Sequence, residues 1–235
     1  EYTAGVVAAR PDRFGFFATL TLPDVDGALE EAAYAFDVLK ADGVILLANS
    51  RGAYLGETKF HPLLEELNRR KAVALIHPNE FPGSGALGFP ASMTDFLLDT
   101  TRAALSLVSS GAMERFSDLK IILSHAGGFL PYASYRFAPF LGFLHEGGPI
   151  SEDAALGLMR KFYFDTALSS SPAAMPSLLA FADPTRILFG SDWPFAPVPV
   201  ARAFAGKLDA YPLDADLRRD IDRRNALALF PRLAD

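Results

Sequence analysis

Short apolar runs and longer amphipathic stretches alternate along this chain. Residues 14–20, 44–48, 72–76, 120–124, 161–167 and 186–189 are rich in apolar or β-favouring side chains and predict six strands, each followed by helical sequence. Before the first strand, residues 2–10 read as the tail of a helix that Pro11-Asp12 stops. Ala28, Leu29, Ala32, Ala33, Ala35, Phe36 and Leu39 then form an apolar stripe at helical spacing that ends in Asp42-Gly43. Further helices are predicted over 60–70, 92–110, 172–181 and 213–230, and the stretch around Arg136 is less regular. Residues 49–59 and the Pro- and Gly-rich 78–90 read as loops, the second long enough to wall a site.

Strands that alternate with helices imply a parallel sheet. Val44-Ile45-Leu46-Leu47-Ala48 is apolar on both faces, as expected of a strand covered by helices. No glycine-rich phosphate fingerprint follows the first strand, so a dinucleotide-binding fold loses its main support. A closed barrel needs eight strands, and six are visible. Either the sheet is open or two strands belong on the N-terminal side, and the opening helix tail favours the second.

Composition narrows the classes. Of 235 residues half are hydrophobic and 21% charged, which suits an enzyme-sized core. The net charge of -6 without a basic run argues against nucleic acid. Cysteine is absent, so there is no disulfide frame, zinc-thiolate site or cysteine nucleophile; this fits a reducing compartment, and the expectation is a cytoplasmic protein. No stretch has the uninterrupted apolar length of a membrane span.

Candidate chemistry sits at three strand ends. The run 72–76 leads into His77-Pro78, the run 120–124 into His125-Ala126-Gly127-Gly128, and the run 186–189 into Gly190-Ser191-Asp192-Trp193-Pro194. In a parallel α/β barrel all strand C-termini share one mouth, so these three side chains can meet despite their distance in sequence. Two imidazoles and a carboxylate suit zinc, manganese or iron, with an open position for water or substrate. Asp165, at the end of an aromatic strand, either bonds beside the site or substrate, or simply caps a turn. Trp193 and Phe195 either wall an aromatic pocket or belong to the core, and Arg136 either clamps a substrate carboxylate or makes a surface ion pair. His61 and His145 read as surface or loop residues and are left out of the site.

Pro11-Asp12-Arg13-Phe14, Ile76-His77-Pro78, Leu123-Ser124-His125-Ala126-Gly127-Gly128, Phe164-Asp165-Thr166 and Gly190-Ser191-Asp192-Trp193-Pro194-Phe195 resemble, in order and spacing, the amidohydrolase-related family of aminocarboxymuconate-semialdehyde decarboxylase. The stretch 24–43 is similar to the methylsalicylate-type aromatic-acid decarboxylases within it. The resemblance implies a (β/α)8 TIM barrel, here a single domain over 1–235 that lacks its first two strands, with a divalent metal, usually zinc and in some cases manganese, at the mouth. It places metal ligation on His77 and Asp192, keeps His125 off the metal to act on its water or the substrate, and sets Arg136 to hold a substrate carboxylate near a subunit interface. Joined to the residue readings above, the expected roles are catalysis for His125 and Asp192 and substrate binding for Arg136, Asp165 and Trp193. The resemblance further implies a homodimer and a small aromatic or unsaturated carboxylic acid as substrate. The expected reaction is decarboxylation, with hydrolysis of a lactone, ester or amide as the same-fold alternative and a silent binding protein as the alternative of another class. One departure stands out. The family's first strand carries a His-x-His or Glu-x-His ligand pair that this sequence lacks, and the expectation is that both absent strands precede Glu1 in the natural protein.

Overall fold

The computed structural model describes residues 1–86 and 88–234. Six parallel strands form the main sheet: β1 (Phe17–Thr19), β2 (Gly43–Leu47), β3 (Val73–His77), β4 (Lys120–Leu123), β5 (Tyr163–Asp165) and β6 (Ile187–Leu188). Their spatial order is their chain order, and among the described residues β1 and β6 do not pair with each other. The register sets Leu47 against His77, Ile76 against Leu123 and Asp165 against Leu188, which aligns the strand C-termini along one rim. An additional two-residue ladder, Asn49–Ser50 with Ala53–Tyr54, folds the loop after β2 back on itself.

Alternation along the strands divides the core in two. Ala18, Val44, Leu46, Ala74, Ile76, Ile121, Leu123, Phe164 and Ile187 face the helices. On the opposite face Val73, Ile122 and Leu188 pack with Leu229 from the C-terminal segment, and Phe17, Leu75, Tyr163 and Phe230 surround them. His77 and Asp165 follow Val73, Leu75 and Tyr163 at two-residue steps, so they continue this second face at the rim.

The helices are α1 (Tyr2–Ala9), α2 (Val25–Asp37), α3 (His61–Arg69), α4 (Asp95–Ser109), α5 (Leu130–Leu144), α6 (Glu152–Met159), α7 (Ala174–Phe181) and α8 (Val198–Ala210). Asp24 caps α2 by accepting from Gly27 N at 3.1 Å. The methyl side chains of Ala28, Ala32 and Ala35 are its buried face, which lets the helix lie close on the sheet. In α3, Leu63, Leu64 and Leu67 are buried, each contributing roughly 1.5–3 kcal/mol. No helix among the described residues is long and apolar enough to cross a membrane.

Three differences from the sequence pattern have physical causes. The irregular stretch around Arg136 is the regular helix α5; Pro139 inside it and large exposed aromatics hide its period. α6 and α8 are further helices that the pattern did not mark. The helix expected over 213–230 runs continuously over 215–229 with one widened turn, as Ala215–Arg219, Asp220–Arg224 and Asn225–Leu229. Asn225 Nδ2 donates to the carbonyls of Ile187 at 2.9 Å and Pro184 at 2.8 Å, which fixes the segment to β6.

α2 and α3 are tied by charge. Arg70 spans Glu66 on α3 and Asp37 on α2, and Arg69 adds a second bond to Glu66. These guanidinium bonds, working against partial burial, lower the Glu66 carboxyl from the ordinary 4.5 to about 2. A depressed folded-state value contributes stability that is complete above about 4.5 and lost as pH falls toward about 2. Urea unfolding across that interval should show the loss, and Glu66→Gln should flatten it; an unchanged slope would remove the pair from the account of acid stability.

Candidate metal centre

β3 delivers His77 to the rim. Its carbonyl accepts from Ala48 N at 2.8 Å, and Pro78 follows at once. The ring's Nδ1 is 3.0 Å from the Pro78 carbonyl. A carbonyl only accepts, so Nδ1 carries a proton and Nε2 is the ring atom left to face a carboxylate or a metal. That Nε2 lies 3.3 Å from Asp192 Oδ1.

His125 reaches the same oxygen by a different device. After β4 the chain passes through four consecutive positive φ angles, 54° at His125, 54° at Ala126, 74° at Gly127 and 64° at Gly128. For the two side-chain-bearing residues this conformation costs about 1–3 kcal/mol each, so the surroundings must enforce it. Asp165 does so from the end of β5, its Oδ1 accepting from His125 N at 2.8 Å and from Ala167 N at 3.0 Å. Gly190 permits the approach, because a Cβ there would meet Asp165 carbons at 2.9 Å. Gly127 is equally confined, its missing Cβ leaving room for the Phe164 ring. The result puts His125 Nε2 at 3.5 Å from Asp192 Oδ1.

Asp192 itself has φ 60° and lies beyond β6. Each of the three residues offers one donor atom, and these atoms all lie within 4.8 Å of one another. Two ligands at about 2.1 Å from one ion and a tetrahedral angle apart are separated by about 3.4 Å, which both imidazole-to-carboxylate distances approach. The donor chemistry, a His77 nitrogen of fixed tautomer and a carboxylate oxygen with the His125 ring beside them, fits a divalent transition metal.

Electrostatics follow from this packing. Burial would raise the Asp192 carboxyl, but bonds to His125 and His77 and their charge bring it down to about 2. Burial disfavours the His125 imidazolium, yet Asp192 and the nearby Asp165 outweigh it and hold the ring above the ordinary histidine value. Loss of water around Asp165 raises its carboxyl, partly offset by His125 and the two amide bonds. The Phe195 ring stacks on His77 at 4.6 Å between centroids, 29° from parallel.

The remaining sequence candidates fall out differently. Asp165 caps its turn through Ala167 N and also bonds the His125 backbone amide. Trp193 and Phe195 are 64% and 67% exposed, so neither is core; Phe195 covers His77, a contact that no local pattern assigns to it in preference to Trp193. Arg136 lies on the exposed side of α5 and makes no hydrogen bond or ion pair among the described residues. His61 and His145 are not surface residues: both are buried. His61 bonds the Gly56 carbonyl and meets Phe116 edge-on, and His145 is held between Glu114 and the Gly148 carbonyl. A buried polar group in a turn-rich stretch looks exposed until its partners are known.

Residues 1–232 match the family model described as amidohydrolase. The chain belongs to the amidohydrolase family. It is 40% identical to a 6-methylsalicylic acid decarboxylase of Penicillium expansum over 99% of this chain and 74% of that protein. It is also similar to the crystal structure of a 2,6-dihydroxybenzoate decarboxylase complexed with 2,6-dihydroxybenzoate, at 26% identity and a TM-score of 0.85, over 98% of this chain and 74% of that one. A dihydroxybenzoic acid decarboxylase from Polaromonas with bound manganese shares the fold at TM-score 0.81 and 23% identity, over 98% of this chain and 73% of that one. The resemblance read from the motifs is thus borne out, and with it the barrel-type fold; the amidohydrolase sheet of this chain is six-stranded and open among the described residues. Family and donor set together support a divalent metal.

The turn that carries His125 gives a direct test. At Gly128, with φ 64°, a Cβ would overlap the Leu97 carbonyl oxygen on α4. Gly128→Ala should lower stability by about 3 kcal/mol or more and weaken metal binding with it, read by thermal unfolding and metal titration. Wild-type stability in that variant would mean the turn is not as confined as its geometry indicates.

Proposed function

We propose that this amidohydrolase is a metal-dependent decarboxylase of a small aromatic carboxylic acid, of the 6-methylsalicylate kind. The observation that carries the reading is the convergence of two imidazole nitrogens on one carboxylate oxygen, in a chain similar over nearly its whole length to an aromatic-acid decarboxylase. His77 and Asp192 would hold the metal, with zinc as the resident ion and manganese as the alternative, and a divalent ion there would supply Lewis acidity toward the bound acid.

The chain's own groups account for the proton. His125, held above the ordinary histidine value, carries it at Nε2 and gives it to the ring carbon that bears the carboxylate. As the carbon–carbon bond breaks, its electron pair stays with the ring, carbon dioxide leaves, and a hydrogen stands where the carboxylate was. Asp192 takes part by orienting His125 as well as by holding the metal. Asp165 fixes the turn that aims His125 and is the carboxylate nearest at hand for a further substrate contact. Trp193, exposed beside Asp192, walls the aromatic ring. Arg136 pairs with substrate carboxylate at a homodimer interface formed by the exposed face of α5, where Tyr132, Tyr135, Phe140 and Phe143 stand largely in solvent.

The test is carbon dioxide release from 6-methylsalicylate by zinc- or manganese-loaded protein. Asp192→Asn should lose most bound metal and activity. His125→Ala should keep its metal but lose turnover by about 10²–10⁴. Metal loss in His125→Ala would make that residue a ligand instead of the proton donor, and a loaded protein inert toward aromatic acids would leave the silent binding protein as the better reading.

The dimer has its own check. Phe140→Glu with Phe143→Glu should give a monomer by sedimentation with the secondary structure intact, whereas an unchanged mass would move the interface elsewhere.

A further inference from the structure

Asp99 is the one carboxylate that α4 buries completely, at 0% exposure, and the mechanism above does not use it. Its partners are all donors. Asn49 Nδ2 reaches both oxygens at 3.0 Å, Tyr54 OH reaches Oδ1 at 3.0 Å, and Asn79 N reaches Oδ2 at 2.9 Å. That pattern is the one an ionised carboxylate satisfies, since it accepts and cannot donate. No Lys or Arg makes an ion pair with it among the described residues, so its direct partners are neutral donors and Arg102 acts only at one remove, beside the Tyr54 hydroxyl. A charge buried in this way polarises whatever its donors are attached to.

One donor leads directly to the metal centre. The N–H of Asn79 belongs to the same peptide unit as the carbonyl of Pro78, and that carbonyl is the acceptor for His77 Nδ1 at 3.0 Å. The Pro78–Asn79 bond is not among the cis bonds, so its N–H and C=O point in opposite directions in one plane. The order in space is therefore carboxylate, amide, imidazole. Negative charge at the amide end strengthens the carbonyl as an acceptor, which strengthens its hold on the Nδ1 proton and enriches Nε2. Asn49 braces the same loop by donating to the Glu80 carbonyl at 3.3 Å.

We propose that Asp99 is a positioning residue for His77: through the Pro78–Asn79 peptide unit the buried carboxylate fixes the Nδ1–H tautomer of the ring and strengthens Nε2 as a metal donor. The second half rests on the reading of His77 as a metal ligand; the first half does not.

The experiment separates the two. In metal-free protein, above the histidine titration range, long-range ¹H–¹⁵N spectra report the His77 tautomer, with His77→Gln providing the assignment. Wild type should show Nδ1–H alone. Asp99→Asn should show mixed tautomers and bind Zn²⁺ about 10–100-fold more weakly in chelator competition. Tyr54→Phe, which removes a different donor from Asp99 and leaves the peptide intact, should match wild type in both. Should Asp99→Asn fail to fold, an amide-to-ester replacement at the nitrogen of Asn79 breaks the relay with the carboxylate in place, and the same two changes are expected. A wild-type tautomer in the relay-broken protein, or an equal disturbance in Tyr54→Phe, overturns the proposal. If His77→Gln binds Zn²⁺ as wild type does, the ligand reading fails, and the tautomer result still decides the relay.

Discussion

A single carboxylate oxygen faced by two imidazole nitrogens demands that three separate strand ends stop within a few ångströms of one another. Hydrophobic packing alone does not deliver that accuracy, because a strand end fixed by its apolar residues still leaves its last side chain free to turn. Here each end is locked by a polar bond or a backbone turn specific to it. His77 is oriented by the carbonyl next to it, His125 by the Asp165 carboxylate acting on its backbone amide, and Asp192 by a left-handed turn whose carbonyl accepts from Ala196 N at 2.7 Å. Left-handed φ angles at His125, Ala126 and Asp192 are the visible cost of this arrangement, and they coincide with the donors.

The same logic explains what could be read from the sequence. Each donor ends an apolar run of four or five residues, and strands of that kind declare both their position and their direction. His77, His125 and Asp192 were therefore recognisable together, and so were the six strands that present them. Asp165 was visible as a candidate but its partner was not, because a bond from a carboxylate to a backbone amide 40 positions away leaves no mark in a local pattern. Asp99 illustrates the limit more sharply. It sits in an amphipathic helix where a polar residue ordinarily marks the solvent side, and only the loops folded over it show that it lies on the buried side.

Helix α5 fails for the opposite reason. Its outer face carries Tyr132, Tyr135, Phe140 and Phe143, so the contrast between inner and outer positions on which periodicity depends is nearly erased. Arg136 is legible as the one charge in that aromatic setting, whereas its exposure on the outer side of the helix belongs to tertiary structure. The buried His61 and His145 are further cases in which neighbours along the chain misrepresent neighbours in space.

The segment 225–232 adds a constraint of range. Phe230 packs on Phe17 of β1 with ring centroids 5.7 Å apart, Asn225 holds β6, and Arg232 forks onto Asp42 across 190 positions of chain. The first and last strands of the sheet are thus clasped by one short segment. The strands that carry His77 and His125 lie between them, and Leu229 fills the face of the sheet that continues toward His77. The spacing of the donors is therefore held from outside the site as well as within it, and a change in this distant segment reaches the metal centre through the sheet.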